Sequence, residues 1–165
     1  GALSHWVDYD LVGFLARAMP EASVVMVGPL DVEGRIAHLK GIPNLYWLGR
    51  KEYEEIPLYV RAFDVCLIPF AAGKIALTTN PVKVFEYFAL GKPVVATPLH
   101  ELQAFRREGL LRIAEGKEAF CAAVREALAE KDATLLERRR EVARRHSWRS
   151  LTDRMMESLF PQGTR

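Results

Sequence analysis

Residues 78–97, TTNPVKVFEYFALGKPVVAT, contain a helix start, a helix, a helix end and a buried strand. Asn80 is a favourable N-cap, and Pro81 suits the first helical position because no N–H donor is needed there. Gly91 is placed to end the helix in the left-handed conformation. The apolar run 93–97 opens with a proline, which cannot continue the helix, and is typical of a strand buried on both faces. The stretch therefore predicts a helix leading into a parallel sheet.

The start of this helix can bind an anion, because its first amides lack partners within the helix and the helix dipole adds partial positive charge. Lys83 lies in the first turn, where a cation is unfavourable unless an anion such as a diphosphate lies between it and the amides. Glu86 lies on the same face of the predicted helix as Val82 and Lys83, and its carboxylate can accept hydrogen bonds from ribose hydroxyls. The alternative is that Lys83 and Glu86 form an ordinary surface ion pair.

The run NPVKVFEYFALGKPVVAT resembles the donor-binding helix and following strand of the C-terminal domain of GT-B fold glycosyltransferases, in the retaining group 1, or GT4-like, family with two spaced glutamates. Glu86 matches the second glutamate, which holds the nucleotide ribose in that family. Thr78 occupies the position of the first glutamate, so the resemblance leaves open which sugar is transferred and whether the mechanism is retaining. The donor-binding residues implied by this helix start are Thr79, Asn80, Pro81, Val82, Lys83 and Glu86.

Two further stretches resemble the same family. Residues 42–70 resemble its succession of a strand ending in Gly-Arg, a helix and a DVxLxP strand, which implies that the nucleotide base docks near Gly49 and Arg50. Residues 1–5, GALSH, resemble the loop under the donor phosphates or sugar, which adds Ser4 and His5 to the donor-binding candidates. For Arg50 and His5 the alternative is a solvated loop residue without a function.

Strand-like and helix-like segments alternate along the chain, and this pattern predicts an α/β fold with a doubly wound parallel sheet. We expect one Rossmann-like domain over 1–165, in which 147–160 is the terminal helix. The predicted strands are 23–27, 44–48, 64–69, 93–97 and 111–114. The predicted helices are 8–19, 35–40, 53–62, 81–89, 101–107, 117–130, 133–145 and 147–159.

The resemblance also implies a central first strand that ends where this sequence begins. Residues 1–7 are too short and too polar to form it. Two arrangements therefore stay open: a gap remains between strands 23–27 and 64–69, or the two strands close up or recruit an edge from another chain. Because the sequence opens with Gly1 and not with methionine, we expect a piece of a longer protein.

Composition excludes several classes of protein. The chain has 165 residues, is 50% hydrophobic and suits one globular domain. A net charge of +2 is too small to indicate nucleic-acid binding. No run of eighteen apolar residues predicts a membrane span, so we expect a cytoplasmic protein, with peripheral association at the inner face of the membrane as the alternative. Cys66 and Cys121 are predicted to be buried thiols.

Two charged motifs invite other functions. Asp8-Tyr9-Asp10 spells a D-x-D metal motif, but both carboxylates lie where they favour a helix start, so no metal site is predicted. The arginine-rich segment 138–149 predicts a solvated helix face, and attraction to anionic lipid is the alternative. The resemblance implies that Trp148, at the start of the terminal helix, packs in the core.

The function implied by the resemblance is transfer of a sugar from a nucleoside diphosphate sugar to an acceptor, in the synthesis of cell-surface polysaccharide or glycan. Helix amides and Lys83 would stabilise the leaving group, so neither a metal nor a cofactor is expected. The acceptor site would belong to a missing N-terminal domain, and this piece alone would bind donor weakly and transfer nothing. The alternatives are a nucleotide-sugar epimerase of GT-B fold and a structural α/β domain without catalysis.

Overall fold

The computed structural model describes residues 1–30, 33–73 and 82–160, with the backbone alone at 33–35. Helices and strands alternate along the chain, as predicted. The α-helices are α1 Tyr9–Ala18, α2 Ile56–Ala62, α3 Lys83–Ala89, α4 Gln103–Arg107, α5 Lys117–Leu128, α6 Ala133–Arg145 and α7 Trp148–Leu159. The strands are β1 Val24–Met26, β2 Leu45–Trp47, β3 Cys66–Ile68, β4 Val94–Ala96 and β5 Arg112–Ile113.

Three segments predicted as helix form 3-10 turns, at Glu33–Leu39, Tyr53–Glu55 and His100–Leu102. The second of these precedes α2 because Pro57 has no N–H to donate to the carbonyl of Tyr53, so an α-helix cannot run unbroken through this point.

The pairs formed by the described strands are parallel, which confirms the predicted fold class. β1 pairs with β2, and β4 lies between β3 and β5. Val95 of β4 packs in one core with α1 and α5. Val94 and Ala96 pack in a second core with α3 and α6 on the opposite face. Helices therefore cover both faces of the sheet, as in a doubly wound fold.

Of the two arrangements that the sequence left open, the structure has the gap. Among the described strands, β1 and β3 belong to separate sheets, and a cavity of about 1110 Å³ separates them. Its walls include Val25 of β1, Leu67 of β3, Leu15 of α1 and Val124 of α5. We call this cavity the open slot. The alternative that the two strands close up and pair is wrong for this chain.

Helix α3 follows the predicted stretch except at its start. It begins at Lys83, with Val82 in the cap position, whereas the predicted cap, Asn80, lies outside the described residues together with the rest of 74–81. The end of the helix is as predicted: Gly91 has φ +71° and donates a 2.8 Å hydrogen bond to the carbonyl of Phe88. Helix α6 packs so closely here that a Cβ on Gly91 would lie 2.5 Å from Cγ of Leu136.

The prediction that the whole arginine-rich segment is solvated is wrong for Arg139, which is 1% exposed. Its Nε donates to the carbonyl of Leu110 at 2.8 Å, and its Nη1 forms an ion pair with Glu130. Burial alone raises the pKa of the Glu130 carboxyl, but hydrogen bonds from Arg139 and Arg112 outweigh it and hold the pKa below its ordinary value. Arg139 follows Leu135 by one helical turn, and that spacing places it on the inward face.

The expectation that Trp148 packs in the core is also wrong, since its side chain is 82% exposed. Ser147 caps α7 through a 3.2 Å hydrogen bond from the amide of Ser150, and the helix then carries a stripe of exposed apolar side chains at helical spacing: Trp148, Leu151, Met155 and Leu159. The sequence shows that apolar residues recur on one face of this helix, but the pattern does not show which part of the molecule that face packs against.

Candidate donor-binding site

Residues 1–8 cross the carboxyl ends of strands β1 and β3. The amino group of Gly1 donates to the carbonyl of Val27 at 2.7 Å, and the amide of Leu3 donates to the carbonyl of Pro29 at 2.9 Å. Farther along, the amide of Asp8 donates to the carbonyl of Pro69 at 2.8 Å. This segment, together with the strand ends 27–29, 48–50 and 69–70, forms the carboxyl edge, where ligands of open α/β sheets bind.

Gly28 allows a close approach of two backbone segments at this edge. Gly28 has φ +145° and donates a 2.9 Å hydrogen bond to the carbonyl of Gly49. The carbonyl oxygen of Gly1 occupies the place that a side chain on Gly28 would need, so only glycine fits there. Gly28 was not among the predicted site residues, although a glycine directly after a predicted strand was a signal for it.

Lys83 and Glu86 lie next to this edge. The Cε of Lys83 is 3.1 Å from the position of a Cβ on Gly1, which places the lysine beside the end of β1. Its Nζ is 2.8 Å from Oε2 of Glu86, and the two side chains are 38% and 29% exposed. The ion pair that the sequence left as an alternative is therefore formed in this structure.

The remaining candidates lie in different surroundings. Ser4 is buried, and its Oγ is 3.3 Å from Nδ1 of His5, which is exposed. Gly49, with φ +66°, and Arg50 are exposed at the end of β2. Contacts thus connect Gly49 to Gly28, Gly28 to Gly1, and Gly1 to Lys83.

Of the predicted helix start, Val82 is exposed, and Thr79, Asn80 and Pro81 lie outside the described residues.

Burial perturbs two ionisable groups near Lys83. The pKa of the Gly1 amino group is lowered, first by burial and then by the neighbouring charge of Lys83, while Glu86 acts in the opposite direction. The pKa of the Tyr87 hydroxyl is raised, mainly by burial and also by Cys66 and Glu86. Tyr87 and Gly1 both line the open slot, so the slot and the carboxyl edge adjoin each other at α3.

The D-x-D motif takes part in a helix start. Asp8 caps α1 by accepting a 2.8 Å hydrogen bond from the amide of Leu11, and Oδ1 of Asp10 lies 2.9 Å from Nε2 of His38. Within residues 1–30, 33–73 and 82–160 no group of three or more His, Cys, Asp or Glu side chains could hold a metal ion. None of the helices described is both long enough and apolar enough to cross a membrane.

Comparison with known families assigns the class of the protein. The sequence profile of the group 1 glycosyl transferases matches residues 5–130. The chain belongs to this family, as the resemblance indicated. A similar curated protein is TuaH of Bacillus subtilis strain 168, whose name assigns it to teichuronic acid biosynthesis as a glycosyltransferase. The two are 28% identical over 162 residues, which are 95% of this chain and 41% of TuaH.

Solved glycosyltransferases share the fold. HepE of Anabaena, crystallised with UDP and glucose, superimposes with a TM-score of 0.73 at 19% identity, over 96% of this chain and 46% of HepE. WaaG, a glycosyltransferase involved in lipopolysaccharide biosynthesis, superimposes with a TM-score of 0.66 at 15% identity, over 94% of this chain and 43% of WaaG. The chain spans less than half the length of these relatives, in agreement with one half of a GT-B glycosyltransferase.

Proposed function

We propose that this chain is the donor-binding domain of a glycosyltransferase that moves a sugar from a nucleoside diphosphate sugar to an acceptor, in the synthesis of cell-surface polysaccharide or glycan. The observation that carries the proposal is the carboxyl edge itself. Gly49, Gly28, Gly1 and Lys83 follow one another there through backbone and side-chain contacts. The complex of HepE with UDP and the name of TuaH agree with this donor class and this pathway.

The proposed roles follow the order of groups along a nucleotide sugar. The base docks on exposed backbone near Gly49 and Arg50, the diphosphate lies at Lys83, and the ribose hydroxyls donate to Glu86. Ser4 and His5 lie under the phosphates or the sugar. The predicted segment 79–82 is proposed to add the backbone N–H groups of Thr79, Asn80 and Val82 to the diphosphate site, next to Pro81, which has none.

The Lys83–Glu86 ion pair does not prevent this use of the two side chains. An exposed or half-exposed ion pair is worth up to about 1 kcal/mol, whereas a hydrogen bond to a charged group contributes about 1.5–3 kcal/mol. A diphosphate carries more than one negative oxygen and can therefore displace the carboxylate of Glu86 from Lys83. The ion pair then holds both side chains at the carboxyl edge until the donor binds.

Calorimetric titration of UDP, GDP and ADP tests the proposal. We expect one of them to bind the wild-type chain, and Lys83→Ala to weaken that binding by about 10- to 100-fold, because one charge-assisted hydrogen bond is lost. Lys92→Ala is the matched control, since the Nζ of Lys92 donates to the carbonyl of Arg61 beyond the far end of α3. The Lys92→Ala variant should bind the nucleotide with the same affinity as the wild type.

Glu86→Gln separates the ribose role from the diphosphate role. This variant should bind UDP more weakly than the wild type. It should bind pyrophosphate at least as well as the wild type, because pyrophosphate has no ribose and no longer competes with the carboxylate for Lys83.

Absence of binding for all three nucleotides would favour the structural α/β domain and would contradict the proposal.

Transfer is proposed to need no metal and to need the rest of the protein. Fixed amide dipoles and a lysine can stabilise the negative charge that develops on the leaving diphosphate. Nucleotide affinity should therefore be unchanged by EDTA. The acceptor-binding half lies outside this chain, so the chain alone should bind donor without transferring sugar. Product analysis with the full-length protein then distinguishes a transferase from an epimerase.

A further inference from the structure

The pairing of β3 with β4 ends in a side-chain contact at Thr97. The amide of Cys66 donates to the carbonyl of Pro93. Farther along, the amide of Thr97 donates to the carbonyl of Ile68. The hydrogen bonds of a parallel pair are evenly spaced, so the next one would join the amide of Phe70 to the carbonyl of Thr97. The amide of Phe70 donates instead to the side-chain oxygen Oγ1 of Thr97, at 3.0 Å.

The hydroxyl of Thr97 serves both backbone groups of Phe70. It accepts from the amide, and it donates to the carbonyl of the same residue at 2.8 Å. A hydroxyl has one donor and two acceptor sites, so it can satisfy both groups at once. Because Thr97 is buried, a variant without the hydroxyl would leave both groups short of a partner.

On its other side, Phe70 faces the segment that crosses the carboxyl edge. Val7 and Phe70 form an antiparallel bridge. Two hydrogen bonds close this bridge, from the amide of Asp8 to the carbonyl of Pro69 at 2.8 Å and from the amide of Ala71 to the carbonyl of Trp6 at 2.7 Å. Neither bond uses the backbone groups of Phe70, which are therefore free to face Thr97. We call this pairing of residues 6–8 with 69–71 the edge bridge.

The edge bridge supports one end of the turn that carries Ser4 and His5. The amide of Val7, in the bridge, donates to the carbonyl of Ser4 at 3.1 Å. The other end of the turn is supported by β1, because the amide of Leu3 donates to the carbonyl of Pro29. Loss of the edge bridge would therefore release the turn on one side only.

We propose that Thr97 is a positioning residue of the donor site. Its hydroxyl holds the edge bridge, and through the bridge it sets the place of Ser4 and His5 at the carboxyl edge. This inference rests on the proposed function, in which these two residues lie under the phosphates or the sugar of the donor. The strand itself does not need the hydroxyl, since valine suits a buried strand as well as threonine does.

Two substitutions separate the hydroxyl from the rest of the side chain. Thr97→Val keeps the branched shape and removes the hydroxyl, whereas Thr97→Ser keeps the hydroxyl. Val95→Ala is the control for lost stability, because Val95 lies in the same strand but packs in the core with α1 and α5. The readouts are amide hydrogen exchange by NMR without nucleotide, and calorimetric titration with UDP, GDP and ADP at a temperature where all variants are folded.

We expect Thr97→Val to speed exchange at Asp8 and Ala71 at least about tenfold, because these amides close the edge bridge. Exchange at Leu3 should stay as in the wild type. The affinity for the nucleotide that binds the wild type should fall about 5- to 20-fold, since displaced groups bind the donor less well. Thr97→Ser should keep wild-type exchange and affinity, and Val95→Ala should keep wild-type affinity.

Three results would overturn the proposal. Unchanged exchange in Thr97→Val would mean that the hydroxyl does not hold the edge bridge. Faster exchange with unchanged affinity would leave Thr97 a purely structural role. A tenfold loss of affinity in Thr97→Ser would assign the effect to the methyl group, and this variant decides the question if Thr97→Val does not fold.

The titrations also distinguish this proposal from the proposed function. If the wild type binds one of the three nucleotides and Thr97→Val binds it equally well, the positioning role fails and the donor site stands. If the wild type binds none of them, the proposed function fails, and the positioning role is overturned with it.

Discussion

Strands β4 and β1 have similar sequences but different surroundings. Val95 of β4 is fully buried between β3 and β5, whereas Val25 of β1 is half-buried and faces the open slot. Around β4, helix α6 packs onto Gly91, and buried Arg139 connects that helix to the carbonyl of Leu110. The same local pattern of apolar residues therefore gives a closed core only where both neighbouring strands are present.

The largest effect is expected in the closed region, at Arg139. Arg139→Ala should lower the free energy of unfolding by about 3 kcal/mol, because it leaves Glu130 with Arg112 as its remaining ion-pair partner and leaves the carbonyl of Leu110 without the Arg139 donor. Arg140→Ala is the matched control: Arg140 pairs with Glu137 at the surface, and its loss should cost less than about 1 kcal/mol. Urea unfolding measures both, and similar losses would mean that the buried network does not hold α6 in place.

Paired valine substitutions test the comparison of the two strands. Val95→Ala should lower the free energy of unfolding by about 2 kcal/mol, since two methyl groups and close packing are lost. Val25→Ala should cost less than about 1 kcal/mol in this chain, because its side chain already borders a cavity. Urea unfolding again provides the measurement. Equal costs would show that the slot is closed in solution.

The smallest effect is expected on helix α7. Trp148→Ser should change the free energy of unfolding by less than about 0.5 kcal/mol, as is usual for exposed positions. Trp6→Ser is the comparison, because Trp6 packs against the core and its loss should cost clearly more. Thermal unfolding followed by circular dichroism measures the stability of both variants. A loss above about 1 kcal/mol at Trp148 would mean that it packs against the domain, as the resemblance implied.

The sequence predicted what local chemistry determines. A left-handed glycine at 91, a proline after it and the apolar run 93–97 indicated the end of α3 and strand β4, and both are present. That residues 1–7 could not form the central strand was also predictable, but whether β1 and β3 stay apart or pair with each other was left open until the structure showed them in separate sheets. The exposure of Arg139 and of Trp148 was predicted wrongly. Whether a side chain is buried depends on which helices and strands pack together, and a local pattern of charged or apolar residues does not determine that.

The candidate site was predictable in part for a similar reason. Lys83 and Glu86 were named from the predicted helix start and Gly49 from the resemblance, and the structure brings all three to the carboxyl edge, where their roles stay predictions. The contact of Gly28 with Gly1 could not be named, because it joins residues far apart in sequence through backbone geometry. That contact places the end of β1 beside Lys83, and it is the feature on which the proposed donor site depends.

The most direct test of the donor site is an NMR titration of the chain with UDP, followed at the backbone amides. The account predicts that the largest shifts occur together at Gly28, Gly49 and Lys83, around the carboxyl edge, and that Lys83→Ala reduces them at equal UDP concentration. Shifts concentrated on α6 and α7, or undiminished by Lys83→Ala, would contradict it.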